Sequence, residues 1–430
     1  QGANAMFSYI EARSGGGDYP VTLFFGLQAL LQENLSQPIT HAMIDEAQAL
    51  FAAHGEPFNA AGWRRIVDVF GGYLPIKIRA LPEGSIVSIK NALVTIESTD
   101  PDTFWLVSYI ETWLLRVWYP TTVASQSWMI KQLIADFLDK TADSSEGLAF
   151  KLHDFGSRGV SSNESAGLGG MAHLVNFMGS DTLQALRAAR LYYDEEMAAY
   201  SIPAAEHSTI TSWGRENELA AYRNMLKQFG KPKALFAVVS DSYNLWDAIK
   251  MWGTDLKDAL IASGATLVIR PDSGHPADIV LKCAREIDRY FGSTVNSKGY
   301  RVLNHVRIIQ GDGINRESIR EILVNLALNG YSADNIVFGM GGTLLQQVNR
   351  DTLGFAMKCS ALKVGDTWRE VFKDPITDPG KTSKKGRLGV WRNRITGEYQ
   401  TLSLGSDAAL SLQQDENWQD ALQTVYENGQ

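Results

Sequence analysis

Several short apolar stretches of this chain stop abruptly at residues able to do chemistry. FAVVSDS (Phe236 to Ser242) ends on Ser240 and Asp241, and TLVIRPDSG (Thr266 to Gly274) ends on Arg270, Asp272 and Ser273. VRIIQGDG (Val306 to Gly313) ends on Gly311 and Asp312, and NIVFGMGG (Asn335 to Gly342) ends on the run Gly339 to Gly342. Arg binds a phosphate through two parallel N–H groups, and Asp accepts from ribose hydroxyls or holds hydrated magnesium. Glycines let backbone amides approach a ligand, and a helix starting near Thr343 to Leu345 adds positive partial charge. Together these groups describe a sugar-phosphate site. Each has a plainer reading too: the glycines suit an ordinary βα turn, and Arg270 with Asp272 suits a surface ion pair.

IPAAEHSTI (Ile202 to Ile210) adds His207 in a loop of small residues. A lone histidine of this kind is more often structural than reactive. Asp241, at the nearest strand end in sequence, could hold one ring nitrogen and leave the other free.

The elements that must position these groups follow from their pattern. Runs of four to five apolar or β-branched residues bounded by turn formers read as buried parallel strands. The roughly 30–40 residues from one to the next leave room for a crossover helix. This predicts an α/β fold, a (β/α) barrel or wound sheet, whose chemistry stands at the carboxyl ends of the strands. HDFGSRGVSS marks the entry to this region, with a strand ending near Asp154 and Phe155. SAGLGG (Ser165 to Gly170) lacks the spacing and preceding strand of a dinucleotide fingerprint, and no P-loop occurs.

Residues 1–142 have a different texture: a strand at MFSYIEAR, a helix through ITHAMIDEAQALFAAHG, and short strands within PIKIRALPEGSIVSIKNALVTIES. Two helices are expected next, Asp102 to Tyr119 and about Thr122 to Thr141. After Arg350, CSALKVGDTWREVFKDP, LGVWRNR and EYQTLSL read as antiparallel strands. The expected division is therefore a barrel domain at 143–350 and a smaller α+β domain built from 1–142 and 351–430. TDPGKTSKKGR (Thr377 to Arg387) reads as a mobile loop, either a solvated charge run or a flap over phosphates.

Composition narrows the classes. At 430 residues with net charge -8, the chain lacks the basic excess of a nucleic-acid binder, so a phosphate ligand must be gripped by local charge. Its two cysteines, Cys283 and Cys359, suggest neither a disulfide framework nor a cysteine zinc site, and favour a reducing, cytoplasmic setting. The most apolar stretch, Thr103 to Tyr119, contains Glu111 and Arg116 and is too short to span a membrane. The first residue is Gln1, so the natural start is expected to lie upstream.

HDFGSRGVSS, LVNFMGSDT, PAAEHSTI, VVSDSYN, IRPDSG, IQGDG, FGMGG and FKDPITDPGKTSKKGR, in this order, resemble the nicotinamide phosphoribosyltransferases over nearly the whole chain. The resemblance implies a type II phosphoribosyltransferase fold, an irregular α/β barrel beside a smaller mixed domain, and a head-to-tail homodimer with two sites at its interface. It implies conversion of nicotinamide and 5-phosphoribosyl 1-pyrophosphate to nicotinamide mononucleotide and pyrophosphate, with Mg2+, and with ATP as an activating co-substrate that phosphorylates a histidine.

Carried over by position, Phe155 is similar to the ring that stacks on nicotinamide, Asp181 to the acceptor for its amide, and Arg270 to a group reaching both pyridine and phosphate. Arg158 matches a phosphate-contacting arginine. Asp272 and Asp312 resemble carboxylates on the ribose and metal side, and Gly311, Gly341 and Gly342 match backbone positions near phosphate. His207 corresponds to the phosphorylated histidine and Asp241 to its partner. Arg13, Arg350, Lys358 and Lys381 align with basic residues around the phosphates, several of them supplied by the second subunit. Relatives carry an upstream Tyr that also stacks on the base, and extend further at the carboxyl end. Ala237 and Ala356 stand where some relatives have Ser, which implies weaker phosphate binding. The competing readings are a nicotinate phosphoribosyltransferase, disfavoured because Asp181 repels a carboxylate, and a non-catalytic signalling protein retaining the fold.

Overall fold

The apolar runs form parallel strands in the computed structural model of the chain, which describes residues 2–16, 18–377 and 381–430. In chain order the strands of this sheet are β1 (Leu152–Asp154), β2 (Gly179–Ser180), β3 (Ala204–Ala205), β4 (Leu235–Val239), β5 (Thr266–Arg270), β6 (Val306–Gln310) and β7 (Ile336–Met340). They lie side by side as β2-β1-β7-β6-β5-β4-β3, every neighbouring pair parallel. One segment reaches both edges of this curled sheet. The Tyr200 amide donates to Met178 O and its carbonyl accepts from Ser180, while Ala204 and Ala205 pair with Ala237 and Val238. The result is an irregular barrel belonging to a compact unit that spans Gln126–Val348.

Side chains two apart on a strand share a face. Ala237, Val268 and Ile309, from three adjacent strands, form one buried cluster with Phe155 and Val337 packed on it. Outside the sheet, the helix Pro276–Phe291 shows why the connections fold as they do. Proline occupies its first turn, Gly292 follows its last residue, and Val280, Cys283, Ala284 and Ile287 make a fully buried stripe. Burying one such aliphatic side chain contributes about 1.5–3 kcal/mol, so Ile287→Asp would detach this helix from the sheet. The SAGLGG segment lies inside the helix Asn163–His173, with Gly167, Gly169 and Gly170 buried.

The other unit comprises Gln1–Ser125 and Asn349–Gln430. Its main sheet runs Thr367–Glu370, Phe355–Val364, Ala3–Ala12, Ala92–Ser98, Ile76–Ala80, Gln423–Glu427, with every neighbouring pair antiparallel. Both chain ends therefore contribute to one sheet. The segment expected as one helix from Asp102 to Tyr119 is broken into short helical pieces, and a long helix then covers Trp118–Thr141. Pro120 causes no break because it sits in that helix's first turn, where its missing N–H has no bond to lose. The division between the units falls within this helix, between Ser125 and Gln126. The expected mobile loop, Thr377 to Arg387, lies partly outside the described residues.

Candidate functional site

The carboxyl ends of the barrel strands gather the reactive groups into one connected chain of contacts. Phe155 follows β1 directly, its amide donating to the carbonyl of Met340 at the end of β7 at 2.9 Å. Its ring crosses the neighbouring strand ends at two glycines, one of which leaves no room for a side chain and the other little. A Cβ on Gly339 would stand 2.0 Å from Phe155 Cε2, and one on Gly311 would stand 3.2 Å from the same atom. The glycines that the sequence offers as phosphate cradles thus have a second role as the floor on which an aromatic ring lies. Gly341 and Gly342 stand beyond it, with open space beside Gly342.

Two charged arms flank the ring. On one side the Arg270 guanidinium lies 5.6 Å from the ring centroid and donates to both oxygens of Asp272, at 3.0 Å each from Nη2. These groups are largely buried, so the pair is part of the cleft wall and not a loose surface contact. On the other side the His153 ring lies 5.2 Å from that of Phe155 and its Nε2 is 2.9 Å from Asp181 Oδ1. Ser201 Oγ donates to the same oxygen at 2.5 Å. Partial burial pushes the Asp181 pKa up, but the bonds from His153 and Ser201 more than offset it, and the carboxyl stays below its ordinary value. Asp181 is therefore an ionised acceptor beside an aromatic face.

Beyond Asp272 lies His207, the first residue of a short helix, His207–Thr211. Its Nε2 is 2.9 Å from Asp241 Oδ1, and Ser273 Oγ donates to Asp241 Oδ2 at 2.6 Å. The Asp241 side chain is 6% exposed and that of His207 46%, so a buried carboxylate orients an accessible imidazole. With its Nε2 proton held by Asp241, His207 presents Nδ1, 3.9 Å from Asp272 Oδ2. That is the geometry of an activated nitrogen nucleophile.

Arg158, in the helical turn Ser157–Gly159 after Phe155, is exposed and has no ion pair among the described residues. Asp312 is likewise exposed, and its carboxylate accepts no hydrogen bond among the described residues. The described residues include no group of three or more His, Cys, Asp or Glu side chains that could hold a metal alone. Asp272, whose oxygens both accept from Arg270, and Asp312 are the two carboxylates on hand for a divalent ion, and Mg2+ is commonly held by one or two carboxylates with most of its waters kept.

Arg13, Arg350, Lys358 and Lys381 belong to the other unit. There Arg13 donates to Gly354 O, Arg350 to Phe355 O and to Asp351, and Lys358 to Met357 O. The sequence reading missed His153 and Ser201, and it named Ser273 at its strand end without the bond to Asp241. Alternation offered a signal for the first, since His153 and Phe155 are two apart at the end of one strand. Ser201 comes from a loop with no periodicity to place it.

Residues 150–430 match the nicotinate phosphoribosyltransferase (NAPRTase) family, and residues 1–78 match the nicotinamide phosphoribosyltransferase amino-terminal domain. A nicotinamide phosphoribosyltransferase of Xanthomonas campestris is 61% identical over 100% of this chain and 91% of its own length. Another, of Acinetobacter baylyi, is 34% identical over 95% of this chain and 85% of its own. Among solved structures, nicotinate-nucleotide pyrophosphorylase of Pyrococcus furiosus superposes with a TM-score of 0.61 at 15% identity, covering 99% of this chain and 84% of that one. Human nicotinic acid phosphoribosyltransferase gives 0.60 at 15% identity, covering 100% and 86%. These structures share the fold, the type II phosphoribosyltransferase architecture. With its sequence relatives, its barrel and its strand-end cleft in agreement, this chain is an enzyme of the nicotinate phosphoribosyltransferase family whose first 78 residues belong to the nicotinamide phosphoribosyltransferase amino-terminal domain.

Proposed function

We propose that this enzyme transfers the phosphoribosyl group of 5-phosphoribosyl 1-pyrophosphate to nicotinamide, giving nicotinamide mononucleotide and pyrophosphate for NAD biosynthesis. The observation that carries the base assignment is Asp181, an ionised acceptor held by His153 and Ser201 next to the Phe155 ring. A carboxylate there accepts from the amide NH2 of nicotinamide and repels the carboxylate of nicotinate. The curated relatives named above carry the nicotinamide name.

In this reading Phe155 supports the pyridine ring from below, and Asp181 fixes its amide so that the ring nitrogen faces the anomeric carbon. The nitrogen lone pair forms the new bond to that carbon as its bond to diphosphate oxygen breaks, and pyrophosphate leaves with the electron pair. Arg270 and Arg158 offset charge on the departing oxygens, with the backbone amides of Gly341 and Gly342 beside them. Asp272 and Asp312 hold the ribose side and would carry Mg2+ between protein and diphosphate. Bound there, the ion neutralises charge on the leaving group. Arg13, Arg350, Lys358 and Lys381 close around the phosphates, several of them from the second subunit of a homodimer.

His207 Nδ1 takes the γ-phosphoryl of ATP, releasing ADP, while Asp241 keeps the imidazole oriented. The added negative charge beside Asp272 strengthens the grip on magnesium-bound substrate. We place the reaction in the cytoplasm, the reducing setting that suits a chain with only Cys283 and Cys359, both free. The reading is tested by measuring mononucleotide formation from nicotinamide and from nicotinate side by side. A strong preference for nicotinamide supports it, and equal rates would sink the Asp181 argument.

A further inference from the structure

Behind the cleft, one residue away from each of the two groups that face the base, sit two buried polar side chains. Asp154 precedes Phe155 and Thr182 follows Asp181, and neither side chain has any exposed surface. Their backbones are already tied. Asp154 pairs with Ser180 across β1 and β2, its carbonyl accepts from the Asp181 amide at 3.0 Å, and Ser180 Oγ accepts from the Thr182 amide at 3.0 Å. Asp154 Oδ1 accepts from the Gly156 amide at 2.7 Å, which fixes the turn carrying Phe155. Its other oxygen, Oδ2, and Thr182 Oγ1 are both buried without a well-formed hydrogen bond. The two side chains nevertheless crowd together. A Cβ on Gly170 would stand 3.2 Å from Asp154 Oδ2, 3.1 Å from Thr182 Cγ2 and 2.7 Å from Ala185 Cβ, so the helix Asn163–His173 closes over the pair and leaves no space for a side chain there. The Thr182 hydroxyl is near enough to favour the charged form of Asp154, against the larger effect of burial.

We infer that Asp154 and Thr182 form a latch behind the base site, its Thr182 Oγ–H to Asp154 Oδ2 bond fixing the gap between the Phe155 ring and the Asp181 carboxylate into which nicotinamide fits. Buried polar atoms are rarely left unpaired, and bond closure satisfies both of these at once. Because each partner is covalently adjacent to a base-facing residue, opening the latch moves the ring and the carboxylate relative to each other while leaving the phosphate side untouched. Arg270, Asp272 and Asp312 stand at or just beyond the ends of β5 and β6. Asp154 and Thr182 are positioning residues, and the inference rests on the proposed use of Phe155 and Asp181 for nicotinamide.

Steady-state kinetics of the full chain test it. Thr182→Val keeps the shape and removes the donor. The KM for nicotinamide should rise between about tenfold and a hundredfold, the scale of an ångström misplacement, with the KM for phosphoribosyl pyrophosphate changed less than about twofold. Thr182→Ser restores the hydroxyl and should recover the wild-type nicotinamide KM. If Thr182→Val does not fold, two further variants decide: Thr182→Ala also lacks the donor and should copy the expected split, whereas Asp154→Asn can accept from Gly156 and donate to Thr182 and should stay near wild type for nicotinamide. Equal rises in both KM values, or a lowered melting temperature with unchanged nicotinamide KM, would reduce the pair to ordinary packing and overturn the inference. A wild-type enzyme without nicotinamide turnover would instead remove the functional reading beneath it.

Discussion

Gly339→Ala is the sharpest perturbation of the cleft. Its added Cβ would lie 2.0 Å from Phe155 Cε2, 2.4 Å from Cδ2 and 2.8 Å from Cζ, so three atoms of one ring edge are in the way. Ordinary contact begins near 3.4 Å, and the ring edge must retreat by about 1.4 Å, the difference between 3.4 Å and 2.0 Å. The strand cannot give instead, because β7 is paired with β6 on one side and β1 on the other. Gly339 does not have positive φ, so alanine brings no backbone strain and the effect is confined to the ring. Overpacking of this kind costs about 1–3 kcal/mol, and loss of an aromatic stacking contact about 0.5–1.5 kcal/mol. A drop of roughly ten- to a hundredfold in kcat/KM for nicotinamide is expected, with a modest loss of thermal stability. Gly147→Ala, outside the cleft, is the internal comparison, since its Cβ would meet only Lys151 Cε at 4.0 Å. Steady-state rates with varied nicotinamide provide the assay. Wild-type kcat/KM in Gly339→Ala would refute the role given to the Phe155 ring.

Asp181→Asn replaces the ionised acceptor with an amide that no longer repels a carboxylate. Because Asp181 is about half exposed, solvent screening reduces the repulsion it exerts to about 1–2 kcal/mol, and the ratio of nicotinamide to nicotinate turnover should fall on the order of tenfold. His207→Gln removes the nitrogen nucleophile, so the rate ratio with and without ATP should fall to one; persistent ATP stimulation would contradict the phosphohistidine. Asp154 makes stability depend on pH. Burial raises its pKa from 3.8 to about 6, so folding favours the neutral acid; that stabilisation is complete below pH 3.8 and lost as pH rises through about 6. Denaturant unfolding should show the wild type losing up to about 3 kcal/mol relative to Asp154→Asn between pH 4 and pH 7, at 1.36 kcal/mol per unit. Parallel stability profiles would count against a buried carboxylate there.

Much of the barrel was legible because its central strands announce themselves. Runs such as TLVIR and VRIIQ are five residues long, apolar and bounded by turn formers, and each became a strand in the expected place. The edge strands β2 and β3 were not legible, since Gly179–Ser180 and Ala204–Ala205 are two residues each and carry no periodicity. Their pairing is decided by the closing segment from Tyr200, a tertiary effect. At the site, residue types suggested phosphate and ribose chemistry, and the Asp241 partnership with His207 came from order along the chain. The glycines were read for their backbone amides, whereas Gly339 and Gly311 also make room for Phe155, a steric fact that appears only when strands from different parts of the chain stand side by side. Ser201 was missed because a hydroxyl that tunes a carboxylate leaves no pattern in sequence, and Ser273 was named only by its place at a strand end.

The central claim is that nicotinamide binds between Phe155, Asp181 and Arg270 at the strand ends. A crystal structure with nicotinamide mononucleotide bound tests it most directly. The account predicts the pyridine ring stacked on Phe155, its amide nitrogen within hydrogen-bond distance of Asp181, and its phosphate facing Arg270 and the Gly341 to Gly342 amides. A mononucleotide whose base lies away from Phe155 and Asp181 would contradict it.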